Sequence, residues 1–417
     1  MIKTLYLCYF GLREPLVQTQ VLPYLRQIRD GGVKVSILTF EPNAKEKWTK
    51  QQVEEERSKL AAEGIDWHFL PYHKRPTVPA TLYDLLCGVY FTWKFIRREK
   101  VDVLHARVQL PTLIGAIARK FSRHKPKIIF DIRGFFPEEY TDGGIWKENG
   151  WLYKMVKHNE KWLLKEADGF VVLTEKAQQI LFPESAEDGF DKFGRPVEVI
   201  PCCVDLSRFS TANKTSRDEM RKKYNLENRQ VITYIGSLGS WYLADEMADL
   251  MQAAREKDNS TFALILTQSA PEIMAERLKK RGFADKDFLV IKVPHSEIPK
   301  YLSAADIALS FIKPCFSKLS SSPTKIAEYL ASGLPIITNR GVGDVAEMIE
   351  KHQIGAVVED FSRESYIKSL HKIAELRQTN TLSENCVKSA EEEFDLEKVG
   401  GAKYRLLYER LMVNRES

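Results

Sequence analysis

Ser320-Ser321-Ser322-Pro323-Thr324-Lys325-Ile326-Ala327-Glu328-Tyr329-Leu330-Ala331-Ser332-Gly333-Leu334-Pro335-Ile336-Ile337 holds a polar loop, a helix and the start of a strand in one unbroken run. The helix begins near Thr324, just after the proline, and stops at Gly333, a residue that closes a last turn at little steric cost. Pro335 then opens an apolar strand. A short helix passing straight into a short apolar strand is the repeating unit of a parallel α/β sheet. The loop has the chemistry of an anion site as well. Hydroxyls and free backbone N–H groups meet where a helix starts, and Lys325 adds a point charge suited to phosphate. Glu328, about one turn further on, can accept hydrogen bonds from vicinal hydroxyls such as those of a ribose. A capped surface helix with a solvated glutamate is the competing reading of the same residues.

Outward from this run the pattern of apolar strand, turn and amphipathic helix repeats. Leu5–Phe10, Val33–Phe40, Ile65–Leu70, Val101–His105, Lys127–Asp131, Gly169–Leu173 and Val197–Ile200 read as strands of a first array. The helix over Val21–Asp30, with Leu22, Leu25 and Ile28 on one face, ends at Gly31-Gly32. The pattern restarts at Gln230–Ile235 and continues through Phe262–Leu266, Phe288–Ile291, Ile307–Leu309 and Leu334–Thr338. Two such arrays predict two Rossmann-like, doubly wound domains facing a cleft. We place the first over residues 1–205 and the second over 206–394, with a final helix over 395–417 returning to the first. Tyr404, Leu407, Tyr408 and Leu411 form one stripe of that helix.

Composition agrees with a globular chain. The 417 residues suit two or three domains at roughly 150 residues each. The net charge of +5 is mild and does not predict nucleic-acid binding. None of the six cysteines forms a C-x-x-C pair, so zinc and thioredoxin-like readings lack a basis, and reduced thiols in a cytoplasmic compartment are expected. Mean hydropathy is −0.32 and no apolar run is long enough to span a bilayer. Gly11-Leu12-Arg13-Glu14 after the first strand is not a G-x-G-x-x-G, which argues against a NAD-dependent dehydrogenase.

Parallel sheets bind ligands beyond the carboxyl ends of their strands. Phe130-Asp131-Ile132-Arg133-Gly134-Phe135-Phe136-Pro137-Glu138-Glu139 sets acids and an arginine directly after a strand. Arg133 is placed to stabilise charge growing on a leaving phosphate. Glu138, Glu139 or Asp142 is placed to orient acceptor hydroxyls or act as base. A structural Asp131–Arg133 pair is the alternative. His105 and Arg107 follow another strand and read as acceptor-side residues, or as structural ones. Gln18 in Gln18-Thr19-Gln20 stands before the first helix, where it serves acceptor, phosphate or helix cap. Gly236-Ser237-Leu238-Gly239 allows close backbone approach to phosphate, or is a plain turn. Leu82–Ile96 is aromatic and followed by basic residues, which fits a membrane interface or a helix packed on the first sheet.

The motif Pro323-Thr324-Lys325-x-x-Glu328-Tyr329-Leu330-Ala331-x-Gly333-x-Pro335 resembles the nucleotide-sugar motif of family 4 glycosyltransferases, which have the GT-B fold. Val199-Ile200-Pro201-Cys202-Cys203-Val204-Asp205 with Phe209, Ala167-Asp168 before Gly169–Thr174, and Tyr301-Leu302-x-x-Ala305-Asp306-Ile307-Ala308-Leu309 are similar to further segments of that family, in the expected order. The resemblance implies retaining transfer of a sugar from a nucleotide diphosphate sugar, with no metal or other cofactor required. The second domain would hold the donor: Glu328 on the ribose, Lys325, Ser321 and Ser322 near the diphosphate, the loop with Pro294 and His295 bordering the base, and Gly236, Ser237, Thr267, Ser320 and Thr324 among the other donor-binding residues. The first domain would take a sugar or lipid-linked acceptor. Asp131 or Arg133 would fill the position where the family often has a polar cleft residue.

The chain departs from the family pattern in two places. Ser320 stands where many members carry a first glutamate, eight residues before Glu328, and the loop Gly236–Tyr242 lacks the usual Arg and Lys. Lys325, Lys318, Lys313 and Arg133 are the remaining candidates to neutralise a diphosphate. Polysaccharide or glycolipid assembly at the inner membrane face, with peripheral membrane contact, is the expected setting. Two alternatives stay open: another GT-B enzyme such as a nucleotide-sugar 2-epimerase, or a non-catalytic nucleotide-sugar-binding partner.

Overall fold

The computed structural model describes residues 1–210 and 214–413. The chain divides into two compact units, Met1–Pro201 with Leu396–Ser417, and Cys202–Asp395. Residues 414–417, the end of the expected last helix, lie outside the described residues.

The first unit is built on seven parallel strands, β1 (Lys3–Leu7), β2 (Lys34–Pro42), β3 (Ile65–Tyr72), β4 (Val103–Arg107), β5 (Lys127–Asp131), β6 (Gly169–Val172) and β7 (Val197–Val199). They run in the order β3-β2-β1-β4-β5-β6-β7. The order reverses between β1 and β4, so the loops leaving those strands diverge and leave room at the carboxyl edge of this sheet. The C-terminal helix Ala402–Val413 buries Tyr404, Leu407, Tyr408 and Leu411, the stripe read from the sequence. The helix Thr77–Glu99 buries Ala80, Asp84, Gly88, Thr92, Phe95 and Ile96 and leaves Leu82, Tyr83, Leu86 and Tyr90 exposed.

The second unit carries six parallel strands, β8 (Val231–Ile235), β9 (Phe262–Leu266), β10 (Phe288–Ile291), β11 (Ile307–Ser310), β12 (Ile336–Asn339) and β13 (Gly355–Val358), in the order β10-β9-β8-β11-β12-β13. Successive side chains of β8 go to opposite apolar layers: Val231 and Ile235 to one, Ile232 and Tyr234 to the other. Sheets covered on both faces read as unbroken apolar runs, which is why these strands are legible in the sequence. β13 was not anticipated. Four residues beginning with Gly and Ala carry too little pattern to separate from a turn.

One boundary has chemical consequences. The strand expected over Val101–His105 is in fact Val103–Arg107, because Asp102 is still pairing its backbone N–H with Lys3 ahead of the ladder. His105 and Arg107 therefore lie within β4, not beyond it, and the period of two puts them on one face.

Candidate functional site

In the second unit the helix Thr324–Ala331 is buried along nearly its whole length, from Lys325 to Ala331. Burial of Lys325 is made possible by aromatic rings. Its ammonium lies 4.1 Å from the centre of the Tyr234 ring and 4.3 Å from that of Tyr242. It also donates to Tyr234 Oη at 3.1 Å. Ring faces attract a cation but do not neutralise it. Burial accordingly drives the Lys325 ammonium down to about 7, with Glu328 opposing the shift. The Gly236 backbone completes this pocket. A Cβ there would stand 3.0 Å from Lys325 Nζ, and the residue's φ of +134 is itself costly for other side chains. Tyr234 Oη donates to the Ser237 carbonyl, so Gly236, Ser237 and Lys325 are held together.

The remaining loops at this carboxyl edge support that group. Thr267 accepts from Ser269 N, and Ser269 Oγ in turn accepts from Leu238 N at 2.9 Å, so Thr267 steadies the Gly236–Gly239 loop from below. Lys318 lies 4.1 Å from the Trp241 ring centre, a second lysine against an aromatic of the same loop. Ser322 Oγ accepts from Cys202 N, and Ser321 N donates to the Lys318 carbonyl. The Ser320 hydroxyl donates to the Ser317 carbonyl. Ile326 N donates to the Pro323 carbonyl, while the amides of Thr324 and Lys325, the first two of the helix, have no intrahelical acceptor.

Glu328 is buried and accepts from His295 Nε2 at 2.9 Å. Arg208 donates to His295 Nδ1 and to the His295 carbonyl, both at 2.9 Å. Arginine cannot accept, so Nδ1 carries the lone pair and Nε2 the proton. The three side chains form a relay that turns one face of the carboxylate. Pro294 sets the extended backbone from which His295 begins a short turn. Sequence reasoning missed Arg208, Tyr234, Tyr242, Trp241 and Ser269. Arg208 stands just before the quoted Phe209, yet nothing local ties it to a histidine 87 residues away.

In the first unit four of the predicted residues come together. Asp131 ends β5 opposite Arg107 in the β4 register. It pairs with Arg133 at 2.7 Å, and Arg107 and His105 each lie 3.7 Å from its Oδ2. Burial alone would raise the Asp131 carboxyl, but Arg133, His105 and Arg107 overcome it and hold the group well below the usual carboxylate range. Burial lowers His105, against the pull of Asp131. The cluster reaches the C-terminal helix, for Arg133 donates to Tyr404 Oη and Tyr408 Oη meets both His105 Nδ1 and Thr4 Oγ1. His105 and Asp131 are 0% exposed. Glu138 stands apart, pairing with Lys157 at 2.8 Å and accepting from Tyr153. Gln18 is exposed and donates to the Leu12 carbonyl. Its neighbour Gln20 is buried with neither amide atom hydrogen-bonded.

Two α/β units, the second with a lysine caged beside a glycine loop and a glutamate one turn along the same helix, define a nucleotide-handling class of protein. Comparison with known families agrees. Residues 17–208 match the family described as Glycosyltransferase Family 4, and residues 216–393 match Glycosyl transferases group 1. The chain belongs to the family 4 glycosyltransferases and is a glycosyltransferase with the GT-B fold.

Among curated relatives, the chain is 24% identical over 332 residues to an Escherichia coli UDP-Gal:alpha-D-GlcNAc-diphosphoundecaprenol alpha-1,3-galactosyltransferase, covering 78% of this chain and 79% of that one. Among solved structures, a Rickettsia africae glycosyltransferase superposes with a TM-score of 0.70 at 16% identity over 99% of both chains. Anabaena HepE, solved in complex with UDP, superposes with a TM-score of 0.69 at 14% identity over 98% of this chain and 100% of its own. No helix among the described residues is long and apolar enough to cross a membrane.

Proposed function

We propose that the protein transfers a sugar from a UDP-sugar to a hydroxyl of a lipid-linked sugar acceptor, with retention of configuration and without a metal, at the inner membrane face. The observation that carries this reading is Lys325: a buried ammonium to which no carboxylate among the described residues is hydrogen-bonded, caged beside Gly236 at the start of a helix. A diphosphate supplies the negative charge this lysine lacks. It also meets the open amides of the helix at Thr324 and the hydroxyls of Ser321 and Ser322. Glu328, oriented by His295 and Arg208, takes the ribose hydroxyls, and the Pro294–His295 turn borders the base. The choice of UDP is supported by the donor in the Escherichia coli relative's name and by the nucleotide bound to HepE.

In the reaction the bond from the anomeric carbon to the diphosphate oxygen breaks while the acceptor oxygen bonds to the same face. The acceptor proton passes to the departing phosphate. Lys325 and the helix amides stabilise the charge that grows there. No side-chain base is needed for this course, which suits a chain with Ser320 in the place of a family glutamate. The first unit offers the acceptor side, with Gln20 holding two unsatisfied amide atoms near Gln18. The exposed Leu82, Tyr83, Leu86 and Tyr90, with Arg97 and Arg98 closing the same helix, suit contact with an anionic bilayer surface.

A thermal-shift panel of UDP, GDP, ADP and their sugars tests the donor assignment, and nucleotide release with and without a lipid-linked sugar acceptor tests the reaction. UDP and UDP-sugars should stabilise the chain, and release of UDP should require acceptor. Turnover of the donor alone would instead mark an epimerase, and binding without any release would mark a non-catalytic partner.

A further inference from the structure

A cavity of about 400 Å³ opens beneath the sheet of the second unit, where residues preceding β11 and β12 meet the helices Arg363–Arg377 and Leu382–Phe394. It lies at the amino edge of the strands, away from the carboxyl-edge loops that carry the donor residues. We propose that it binds a small phosphate-bearing metabolite of the size of a sugar phosphate.

The charge balance comes first. Arg217 and Arg377 line the cavity against a single carboxylate, Asp306. That carboxylate is already committed. Oδ1 accepts from Arg217 at 2.6 Å, while Oδ2 accepts from Val231 N at 2.8 Å and from Arg221 at 3.2 Å. Arg217 and Arg221 spend further donors on the Ser303, Ala305, Ala304 and Arg229 carbonyls. Among the described residues Arg377 makes one hydrogen bond, to the Asp306 carbonyl at 2.7 Å, and has no carboxylate within ion-pair distance. Burial, and Arg217 beside it, lower the Arg377 guanidinium against the pull of Asp306. The lining thus sets two guanidinium groups against one carboxylate, a shortage of negative charge. A neighbouring cavity lined by Arg217, Arg221 and Lys222 also holds Asp218 and Glu227, so the shortage belongs to the first.

A second feature points the same way. Leu382 and Ser383, the first turn of the helix Leu382–Phe394, line the cavity. No side chain caps this helix: Thr381, before its first residue, has an αR backbone and accepts from none of its amides. Its first amides therefore lack intrahelical acceptors and suit an anion. Asn380 and Ser383 add an amide and a hydroxyl. A Cβ on Gly333 would collide with Ser383 Oγ, so the glycine at that bend is what admits the hydroxyl. Glu384, on the same turn, is exposed and does not line the cavity. The volume falls in the range of small-molecule sites, roughly 300–1,000 Å³. Two guanidinium groups, a free helix start and a hydroxyl recognise the phosphate, and the remaining space takes its sugar-sized body.

Glucose 1-phosphate titrated calorimetrically into the full chain, with UDP present in excess to occupy the donor loops, tests the site. Saturable binding is expected, glucose alone should give none, and Arg377→Gln should weaken binding about tenfold or more. Ser383→Asp places a like charge at the mouth from an exposed position, so it should fold normally and bind at least as poorly as Arg377→Gln. The proposal is overturned if glucose 1-phosphate binds no better than glucose, or if Ser383→Asp binds it as the wild type does.

Discussion

Arg133 in the first unit and Lys325 in the second are both buried cations just beyond a sheet edge, and they are stabilised by opposite means. Arg133 has a carboxylate at 2.7 Å. Lys325 has two aromatic rings and a phenol. The carboxylate cancels the arginine's charge and fixes it, whereas the rings shelter the lysine's charge without cancelling it. The first arrangement suits a permanent tie between sheet and C-terminal helix. The second keeps a cation whose proton depends on what arrives beside it. A buried charge thus reads as structure when its counter-ion is built in, and as a binding group when the counter-ion is missing.

The contrast fails most visibly, if it fails, at Asp131. Asp131→Ala strips the counter-ion from two buried arginines and should cost about 3–5 kcal/mol in urea unfolding. A loss below about 1 kcal/mol would mean the first unit does not depend on this pair.

Glu328→Ala tests the second unit next. Wild-type chain should gain about 2.7 kcal/mol of stability from UDP at a hundredfold excess over its dissociation constant. The variant should lose that gain while its unliganded melting temperature stays within a few degrees. An unchanged shift would remove the ribose assignment.

Lys325 sharpens the comparison through pH. Its unliganded value of about 7 lies below the usual lysine range, and a bound diphosphate raises it. Binding above neutrality therefore takes up a proton, so UDP affinity should weaken as pH rises from about 7 toward 9. Calorimetry in buffers of different ionisation enthalpy reads that uptake directly. Lys325→Met should bind about tenfold more weakly at pH 7 and show a flat profile. The sign reverses for stability. The unfolded lysine holds its proton where the folded one releases it, so the empty wild type gains stability with pH between about 7 and 10. The Met variant should lack that slope.

The smallest effect belongs to the relay. Arg208→Ala should raise the KM for donor about threefold to tenfold with little change in kcat, since it acts on Glu328 only through His295. His295→Ala should do the same, and the two losses should not add.

The sequence carried the local half of this account. The alternation of apolar runs and amphipathic helices was enough for two doubly wound units, because strands covered on both faces must be apolar throughout. Thr324, Lys325 and Glu328 could be placed on one helix because their spacing is short and the stops at Pro323 and Gly333 are local. Four-residue β13 was too short to read, and the true span of β4 could not be separated from its flank. Missing that span left Arg107 outside the strand that it ends.

What the sequence settled by itself is which groups exist and how they lie along each helix and strand, since helical and strand periods are properties of a few neighbouring residues. Only the tertiary structure decided their surroundings. Tyr234 reaches Lys325 from 91 residues earlier, and Tyr404 reaches Asp131 from 273 residues later. Such neighbours are chosen by sheet order and register, which no local pattern encodes. They also fix burial, and burial is what makes one cation a tie and another a site.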